Sequence, residues 1–313
     1  MTADPPPPEA AALARRRAEA RAARDFAAAD ALRDELAALG WLVRDEPGGG
    51  WALEPRPPYD VLATLAALPD RSAEPDQRPL SALLLVDGWP DDLRRCVEAL
   101  LAHGPDGLVV VGLDLGNVDG AGATLHALAT EHPGRVEEHH LAGTAGWGPA
   151  LGALIRADTA TWQVVLDPSS VLLGDAITPL VEALEADPGA AAAGWRGTDV
   201  DLADAWRSFV DAAPGEVDAL LGYLLVIRRA AAVQTPPSPK ARFYRNADME
   251  WSLLLREAGW RLLQPYADLP VEQARHRGYH DSDPAYRDQQ SRATYDRLLK
   301  RFRGRDDLLR PRA

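Results

Sequence analysis

The stretch Ser81-Ala82-Leu83-Leu84-Leu85-Val86-Asp87 decides the fold, because it is an apolar run that ends in an aspartate. Its length and composition predict a buried strand. A helical pattern follows over 91–103, then a second apolar run over 108–113 and a second helical pattern over 121–131. Strands that alternate with helices indicate a parallel sheet covered by helices. The expected fold class is therefore α/β, with a mostly parallel sheet and helices on both faces.

The same alternation continues toward the C-terminus, with a further buried strand predicted over 162–166 and a helix over about 175–186. In such sheets, ligands bind beyond the carboxyl ends of the strands. Three of these strand ends are followed or closed by an aspartate: Asp87, Asp114 and Asp167. We therefore expect the chemistry of the protein at this edge of the sheet.

A smaller unit precedes the α/β pattern. Its Ala-rich sequence predicts two helices that meet near Asp25, which is placed as an N-cap. Tryptophan-containing stretches on both sides of a glycine-rich turn then predict a hairpin. A polar, proline-containing stretch is typical of a linker. The expected organisation is disorder over 1–8, a helical module over 9–68, a linker over 69–79 and an α/β domain over 80–313.

Composition limits the classes of partner. The 313 residues include 34 Lys and Arg against 47 Asp and Glu, a net charge of −13, which disfavours nucleic acid as a ligand. Cys96 is the single cysteine, so an internal disulfide or a multi-cysteine metal site is excluded. No signal peptide or membrane-spanning run is evident, and we expect a cytoplasmic protein. The sequence does not indicate an oligomeric state.

The helical module resembles the C-terminal region of cysteinyl-tRNA synthetases. The resemblance lies in Arg24–Leu36, Gly40-Trp41 and Asp45-Glu46-Pro47, and it covers about residues 14–55. The catalytic signatures and zinc cysteines of those enzymes have no counterpart, so aminoacylation is not expected. Two alternatives remain, a module that contacts tRNA or a partner and a solvated arginine face on a stable helix pair. The acidic balance of the region favours the second. The arginines in question are Arg15, Arg16, Arg17, Arg21 and Arg24.

Residues from about 79 to 309 resemble a family 2 glycosyltransferase with the GT-A fold. The motifs that carry the resemblance are Ser81–Val86, Leu113–Asp119, Gly143–Ala153, Leu166–Ser169, Gly222-Tyr223, Tyr244–Gly259 and His276-Arg277-Gly278. The resemblance implies an inverting transfer of a sugar from a nucleotide-sugar donor to a hydroxyl. The implied acceptor is a cell-envelope glycan, a polyprenyl-linked glycan or a small molecule.

The resemblance also implies roles for individual residues. Asp248 is the expected catalytic base, and Glu250 is a second acidic candidate, two residues further around the same helix. Asp167 and His276 are expected to bind Mg²⁺ or Mn²⁺, since hard cations prefer carboxylate and phosphate oxygens with few protein ligands. The residues expected to bind the donor are Asp87, Asp114, Gly146, Asp167 and Ser169.

Three positions depart from the family pattern. Ser169 replaces the second aspartate of the DxD motif, Leu115 replaces an acid of the base-binding turn, and Ala247 replaces the glutamate before the expected base. Metal affinity is therefore expected to be low. These departures support an alternative function: a catalytically degenerate GT-A scaffold that senses nucleotides or binds a partner or tRNA.

The last predicted helix and the tail after it are rich in arginine. One interpretation is peripheral contact with anionic lipid at the inner face of the cell membrane. The other, which we prefer, is a set of ion pairs with the acidic body of the protein.

Overall fold

The computed structural model describes residues 5–45, 50–273 and 283–312. The chain forms two compact units, residues 1–60 and 61–313. The first contains the predicted helix pair and hairpin. Its elements are α1 (Pro8–Ala22), α2 (Phe26–Ala38), β1 (Trp41–Asp45) and β2 (Trp51–Pro55). Asp25 is the N-cap of α2, and its side chain accepts a hydrogen bond from the backbone N–H of Ala28. The predicted turn residues 46–49 lie outside the described residues.

The second unit is built on a sheet of nine strands, counted within the described residues. The order across it is β12, β15, β9, β14, β7, β4, β5, β6, β3. Antiparallel pairing involves only β14, against β7 and β9, and β12, against β15. The strands are β3 (Val61–Leu62), β4 (Arg78–Val86), β5 (Val109–Asp114), β6 (Val136–Leu141), β7 (Ala160–Leu166), β9 (Ala190–Gly194), β12 (Gly215–Glu216), β14 (Leu224–Arg228) and β15 (Arg261–Gln264).

Helices and two small sheets complete this unit. The helices are α3 (Pro90–His103), α4 (Ala121–Glu131), α5 (Trp147–Ala157), α6 (Thr178–Ala186), α7 (Arg229–Gln234), α8 (Ala247–Glu257) and α9 (Pro284–Phe302). The short strands are β8 (Ser170–Leu172), β10 (Gly197–Val200), β11 (Phe209–Asp211), β13 (Ala219–Leu220) and β16 (Val271–Gln273). Within the part of the chain that is described, no helix is both long and apolar enough to cross a bilayer.

Alternate residues of β4 point to two cores, one on each face of the large sheet. Leu84 packs in a cluster with side chains of α3, α4 and α6. Leu83 packs in the other cluster, with α5, α7 and α8. The period of two along a strand produces this division. The expected α/β fold with helices on both faces is therefore present.

The stretch expected as a linker, 69–79, is bound to the second unit. Arg229, which is 5% exposed, donates hydrogen bonds to the backbone carbonyls of Arg71 and Glu74 at 2.6 and 2.8 Å and to Asp76 Oδ1 at 2.9 Å. Val61 and Leu62, assigned to the helical module, pair instead with β6 as β3. The unit boundary thus precedes the predicted linker, because tertiary hydrogen bonds determine where this polar stretch belongs.

Candidate functional site

Two residues just before β14, Gly222 and Tyr223, are hydrogen-bonded to the two main acidic candidates. Asp248 Oδ2 accepts a hydrogen bond from the Gly222 N–H at 2.8 Å. The Asp167 N–H donates to the Tyr223 carbonyl at 3.3 Å. Because β14 runs antiparallel beside β7, its first residues lie next to the end of β7, where Asp167 follows. Asp167 and Asp248 are 81 positions apart in sequence and flank a single dipeptide.

Asp248 lies in the first turn of α8 and is half-buried. Burial raises its pKa to about 6, although the Gly222 and Met249 N–H groups, which donate to its carboxylate, act in the opposite direction. A carboxylate with this pKa is mostly ionised at neutral pH and holds a proton more readily than an ordinary aspartate. Such a group is suited to accept a proton from a hydroxyl.

Asp167 is oriented by Ser169. Its Oδ1 accepts two hydrogen bonds, from the Ser169 N–H at 2.8 Å and from the Ser169 hydroxyl at 2.7 Å. Ser169 is 1% exposed, so its side chain lies beneath Asp167 and does not reach the surface. The expectation that Ser169 contacts the donor is therefore not met in this structure. It is a support for Asp167, because a buried hydroxyl needs a partner and the neighbouring carboxylate provides it.

Two tyrosines, Tyr223 and Tyr244, and two arginines, Arg196 and Arg245, lie near the acids, and none of the four was a predicted site residue. Burial raises the pKa of Tyr223; Asp248 and Asp167 raise it further, while Arg245 and Arg196 act against them. The pKa of Tyr244 is raised by burial and by the same two acids. The sequence signal that could have identified Tyr223 and Tyr244 is their position inside the motifs Gly222-Tyr223 and Tyr244–Gly259.

Arg196 follows the end of β9, and nothing in its local sequence marks it. Its guanidinium stacks on the Trp195 ring, 4.5 Å from the centroid, and lies 3.7 Å from Asp268. The Trp195 ring meets Tyr223 edge-on, with centroids 6.4 Å apart. The backbone of Arg196 also accepts a hydrogen bond from the Leu221 N–H at 2.9 Å. Tertiary pairing therefore holds this arginine beside the turn that contains Gly222 and Tyr223.

Glu250 does not share the site with Asp248. Its two carboxylate oxygens pair with the Nε and Nη2 atoms of Arg297 on α9, at 3.0 and 2.8 Å. The side chain is 6% exposed and joins α8 to α9. Two residues along a helix correspond to a rotation of about 200°, so neighbours at this spacing point in different directions. The catalytic assignment of Glu250 is therefore corrected to a structural one.

Asp114 and Asp87 lie at the same sheet edge, because β4 and β5 are parallel and Val86 pairs with Asp114. Asp87 is exposed there. Asp114 is 1% exposed, and its oxygens are bound by the Asn117 N–H at 2.8 Å and approached by His140 Nδ1 at 3.0 Å. Direct contact between the Asp114 carboxylate and a ligand is therefore not available in this structure. Through its hydrogen bond with the Asn117 N–H, Asp114 instead stabilises the turn that follows β5.

Gly146 precedes α5, but another segment covers this helix end. The N–H groups of Trp147 and Gly148 donate to the carbonyls of Arg242 and Ala241 at 3.2 and 2.8 Å. A Cβ atom at Gly146 would lie 2.9 Å from Arg242 Cδ. The glycine is therefore required for close packing against residues 241–242. These contacts occupy N–H groups at the start of α5 and give no support to the donor-binding role expected of Gly146.

The fit of a divalent cation rests on Asp167. Among the described residues, no group of three His, Cys, Asp or Glu side chains could hold a metal ion. A cation at Asp167 would need further oxygens from a ligand, an arrangement that Mg²⁺ accepts with phosphates. His276, the other expected ligand, lies outside the described residues.

The basic residues of α9 and the tail are largely engaged in ion pairs. Pairs join Arg297 to Glu250, Arg301 to Glu257 and Arg310 to Asp199. This pairing agrees with the ion-pair interpretation of the basic segment. It leaves the membrane interpretation without support from the described residues.

Comparison with solved structures identifies the architecture of the second unit. Mannosyltransferase PcManGT from Pyrobaculum calidifontis, in complex with GDP-Man and Mn²⁺, is similar with a TM-score of 0.55 and 17% identity, over 78% of this chain and 68% of that one. GalNAc-T7 with UDP, GalNAc and Mn²⁺ is similar with a TM-score of 0.59 and 16% identity, over 71% and 48%. The fold is GT-A. At these identities the likeness extends to the fold alone.

The first unit matches a different family. Residues 5–50 match the model of the cysteinyl-tRNA ligase anticodon binding domain. A stretch of 38 residues is 66% identical to the cysteine–tRNA ligase of two strains of Nitratidesulfovibrio vulgaris and represents 12% of this chain. The match spans only 8% of the length of those ligases. The predicted resemblance is confirmed, and a small synthetase-like module precedes the GT-A fold in this chain.

Proposed function

We propose that this protein is a glycosyltransferase that moves a sugar from a nucleotide-sugar donor to a hydroxyl acceptor with inversion. One observation carries the proposal: Asp167 and Asp248 are hydrogen-bonded to two neighbouring residues, Gly222 and Tyr223. A transferase of this kind needs one acid near the donor diphosphate and one near the acceptor hydroxyl. The hydrogen bonds to Gly222 and Tyr223 support a single site that contains the acid following β7 and the acid of α8.

In the proposed reaction, Asp248 accepts the proton of the acceptor hydroxyl as the oxygen attacks the anomeric carbon. A pKa of about 6 leaves it ionised at neutral pH and basic enough for this step. Attack from the side opposite the leaving nucleoside diphosphate breaks the glycosidic bond in one displacement, so the configuration inverts. Holding both substrates in line supplies much of the acceleration.

Asp167 is the proposed contact on the donor side, together with His276. A Mg²⁺ or Mn²⁺ ion bound there would offset negative charge on the leaving diphosphate. Ser169 fixes the orientation of Asp167 through its two hydrogen bonds. Arg196 and Arg245 add positive charge around the same acids, and we assign them to anionic groups of the substrates.

The choice of a nucleotide-sugar rests on the fold and on the ligands named with its neighbours, GDP-Man in one and UDP with GalNAc in the other. These ligands differ in both base and sugar, so the proposal leaves both open. Family 2 membership and the acceptor, a cell-envelope glycan, a polyprenyl-linked glycan or a small molecule, are parts of the same proposal.

Two observations favour a second candidate function, a nucleotide-sensing scaffold without turnover. Ser169, at the position of the second DxD aspartate, is buried against Asp167. The N–H groups of Trp147 and Gly148, at the start of α5, are occupied by residues 241–242. Both features reduce the interactions available to a donor diphosphate. Such a protein would bind a nucleotide weakly and leave the sugar in place.

A thermal-shift screen of UDP-sugars and GDP-sugars, with and without Mn²⁺, separates the candidates. A ligand at a hundred times its Kd stabilises the fold by about 2.7 kcal/mol. Slow hydrolysis of the stabilising donor is then followed in the wild type, in Asp248→Asn and in the matched control Glu250→Gln. The transferase predicts that hydrolysis is lost in Asp248→Asn and retained in Glu250→Gln. Stabilisation without hydrolysis in any variant would support the sensing scaffold.

A further inference from the structure

A chain of four titratable side chains runs under the edge of the sheet near the turn after β5. His126 Nδ1 lies 2.9 Å from Glu138 Oε1, and Glu138 Oε2 lies 2.9 Å from His140 Nε2. His140 Nδ1 in turn lies 3.0 Å from Asp114 Oδ2. The proposed transfer chemistry does not use this chain.

His140 is the central member of this chain, and its two ring nitrogens face carboxylate oxygens of Asp114 and Glu138. The imidazole is 2% exposed, and both contacts have the distances of direct hydrogen bonds. An ionised carboxylate accepts hydrogen bonds and cannot donate them, while a neutral imidazole has only one N–H. Both contacts are satisfied together when His140 carries a proton on each nitrogen.

The surroundings of the two acids agree with this arrangement. Burial acts to raise the pKa of Glu138, and the hydrogen bonds of His140 and His126 nevertheless hold it below its ordinary value. Asp114 Oδ1 accepts a further hydrogen bond, from the Asn117 N–H at 2.8 Å. Of the neighbouring charged groups on β6, Glu137 is paired with Arg78. His139 projects from the other face of the strand.

Asp114 transmits this arrangement to the turn after β5. The turn has positive φ angles at Gly116 (101°), Asn117 (52°) and Asp119 (52°). Such angles are costly for non-glycine residues and persist when surrounding contacts enforce them. The bond from the Asn117 N–H to Asp114 is one such contact. A Cβ atom at Gly116 would lie 3.1 Å from the backbone of Gly143, so the turn also rests on the loop after β6.

We propose that His140 is a positioning residue that donates from both ring nitrogens, to Asp114 and Glu138, and thereby fixes the turn over 115–120 in the shape that receives the donor nucleoside. The part that concerns the nucleoside rests on the proposed transferase function. In this arrangement Asp114 does not read the base itself. The backbone of the turn meets the ligand, and the buried cation of His140 holds that backbone through Asp114.

Nitrogen NMR of protein labelled with ¹⁵N-histidine tests the protonation directly. At pH 7 we expect one histidine with protons on both ring nitrogens, and its signals are absent from His140→Gln. A His140 ring with one unprotonated nitrogen at this pH would overturn the proposal, because the proton would then reside on a carboxylate.

Hydrogen exchange and nucleotide binding test the positioning. In His140→Gln we expect faster exchange of the Asn117 amide and about tenfold weaker binding of UDP or GDP, whichever binds the wild type. The matched control, His139→Gln on the opposite face, should change neither. Unchanged Asn117 exchange in His140→Gln would overturn the proposal. If the wild type binds neither nucleotide, the proposed function fails, while the exchange and NMR results still decide the role of His140.

Discussion

Replacing the proposed base with its amide should make the protein more stable while it removes the activity. Asp248 has a pKa of about 6 in the folded protein against an ordinary value of 3.8, because burial disfavours its ionised form. The folded state therefore binds this proton more tightly than the unfolded state. Stability supplied by the protonated group is complete below about pH 4 and is lost as the pH rises through about 6. Asparagine cannot ionise and avoids this loss.

The size of the gain follows from the two pKa values. The difference between about 6 and 3.8 corresponds to about 3 kcal/mol at neutral pH, which is an upper limit. Asp248 is only half-buried, so screening by water reduces the figure, and we expect a gain of about 1 kcal/mol. An asparagine oxygen at this position can still accept the hydrogen bond of the Gly222 N–H.

The assay is urea unfolding of wild type and Asp248→Asn at pH 7 and at pH 4, beside a rate measurement with the donor identified by thermal shift. We expect Asp248→Asn to be more stable at pH 7 and equal to wild type at pH 4. Its rate should fall at least about a hundredfold, and the wild-type rate should rise with pH through about 6. Glu250→Gln is the matched control on the same helix: breaking its pairing with Arg297 should cost about 2 kcal/mol. An Asp248→Asn variant that is less stable than wild type at pH 7, or equally active, would refute the reasoning.

Three further changes probe other parts of the structure. Ser169→Asp should lower the free energy of unfolding by about 2 kcal/mol, because it buries a second charge against Asp167; a variant as stable as wild type in urea would contradict the burial of this site. Arg312→Ala should cost about 2 kcal/mol at pH 7, since it removes a partner of the buried Asp218 carboxylate. Burial raises the pKa of Asp218, so that loss should shrink at pH 4, and equal losses at both pH values would argue against a charge effect. Asp25→Ala should speed hydrogen exchange in the first turn of α2 by about fivefold, because it removes a cap worth about 1 kcal/mol; unchanged exchange would count against the capping bond.

The elements that were predicted well are those whose signal is local. Apolar runs such as Ser81–Val86 become central strands because only burial on both faces suits them. The N-cap at Asp25 follows from the chemistry of a short acidic side chain before a helix. The roles predicted for Asp167 and Asp248 came from the resemblance to a known fold and were not contained in the residues alone.

The features that were missed depend on tertiary contacts and on burial. The strand Val61–Leu62 is two residues long and has no periodicity to detect. Ser169 was expected to contact the donor because of its place in a motif, but its hydroxyl is committed to Asp167. Gly146 was expected to bind the donor, but its lack of a side chain makes room for Arg242. The partners of Val61–Leu62 and of Gly146 lie far along the chain. The partner of Ser169 is two positions away, but the burial of its hydroxyl depends on the tertiary fold.

The arginine that binds the stretch 69–79 determines where the chain can be divided. Arg229 holds the carbonyls of Arg71 and Glu74 from a position more than 150 residues later. A protease cut or a gene truncation within 69–79 would strip hydrogen-bond acceptors from a buried guanidinium and weaken the GT-A unit. A cut after Asp60 would leave the hydrogen bonds of the Arg229 guanidinium to Arg71, Glu74 and Asp76 intact. Recombination that exchanges the synthetase-like module for another domain would therefore be tolerated best at residue 60, although composition alone points to the later stretch.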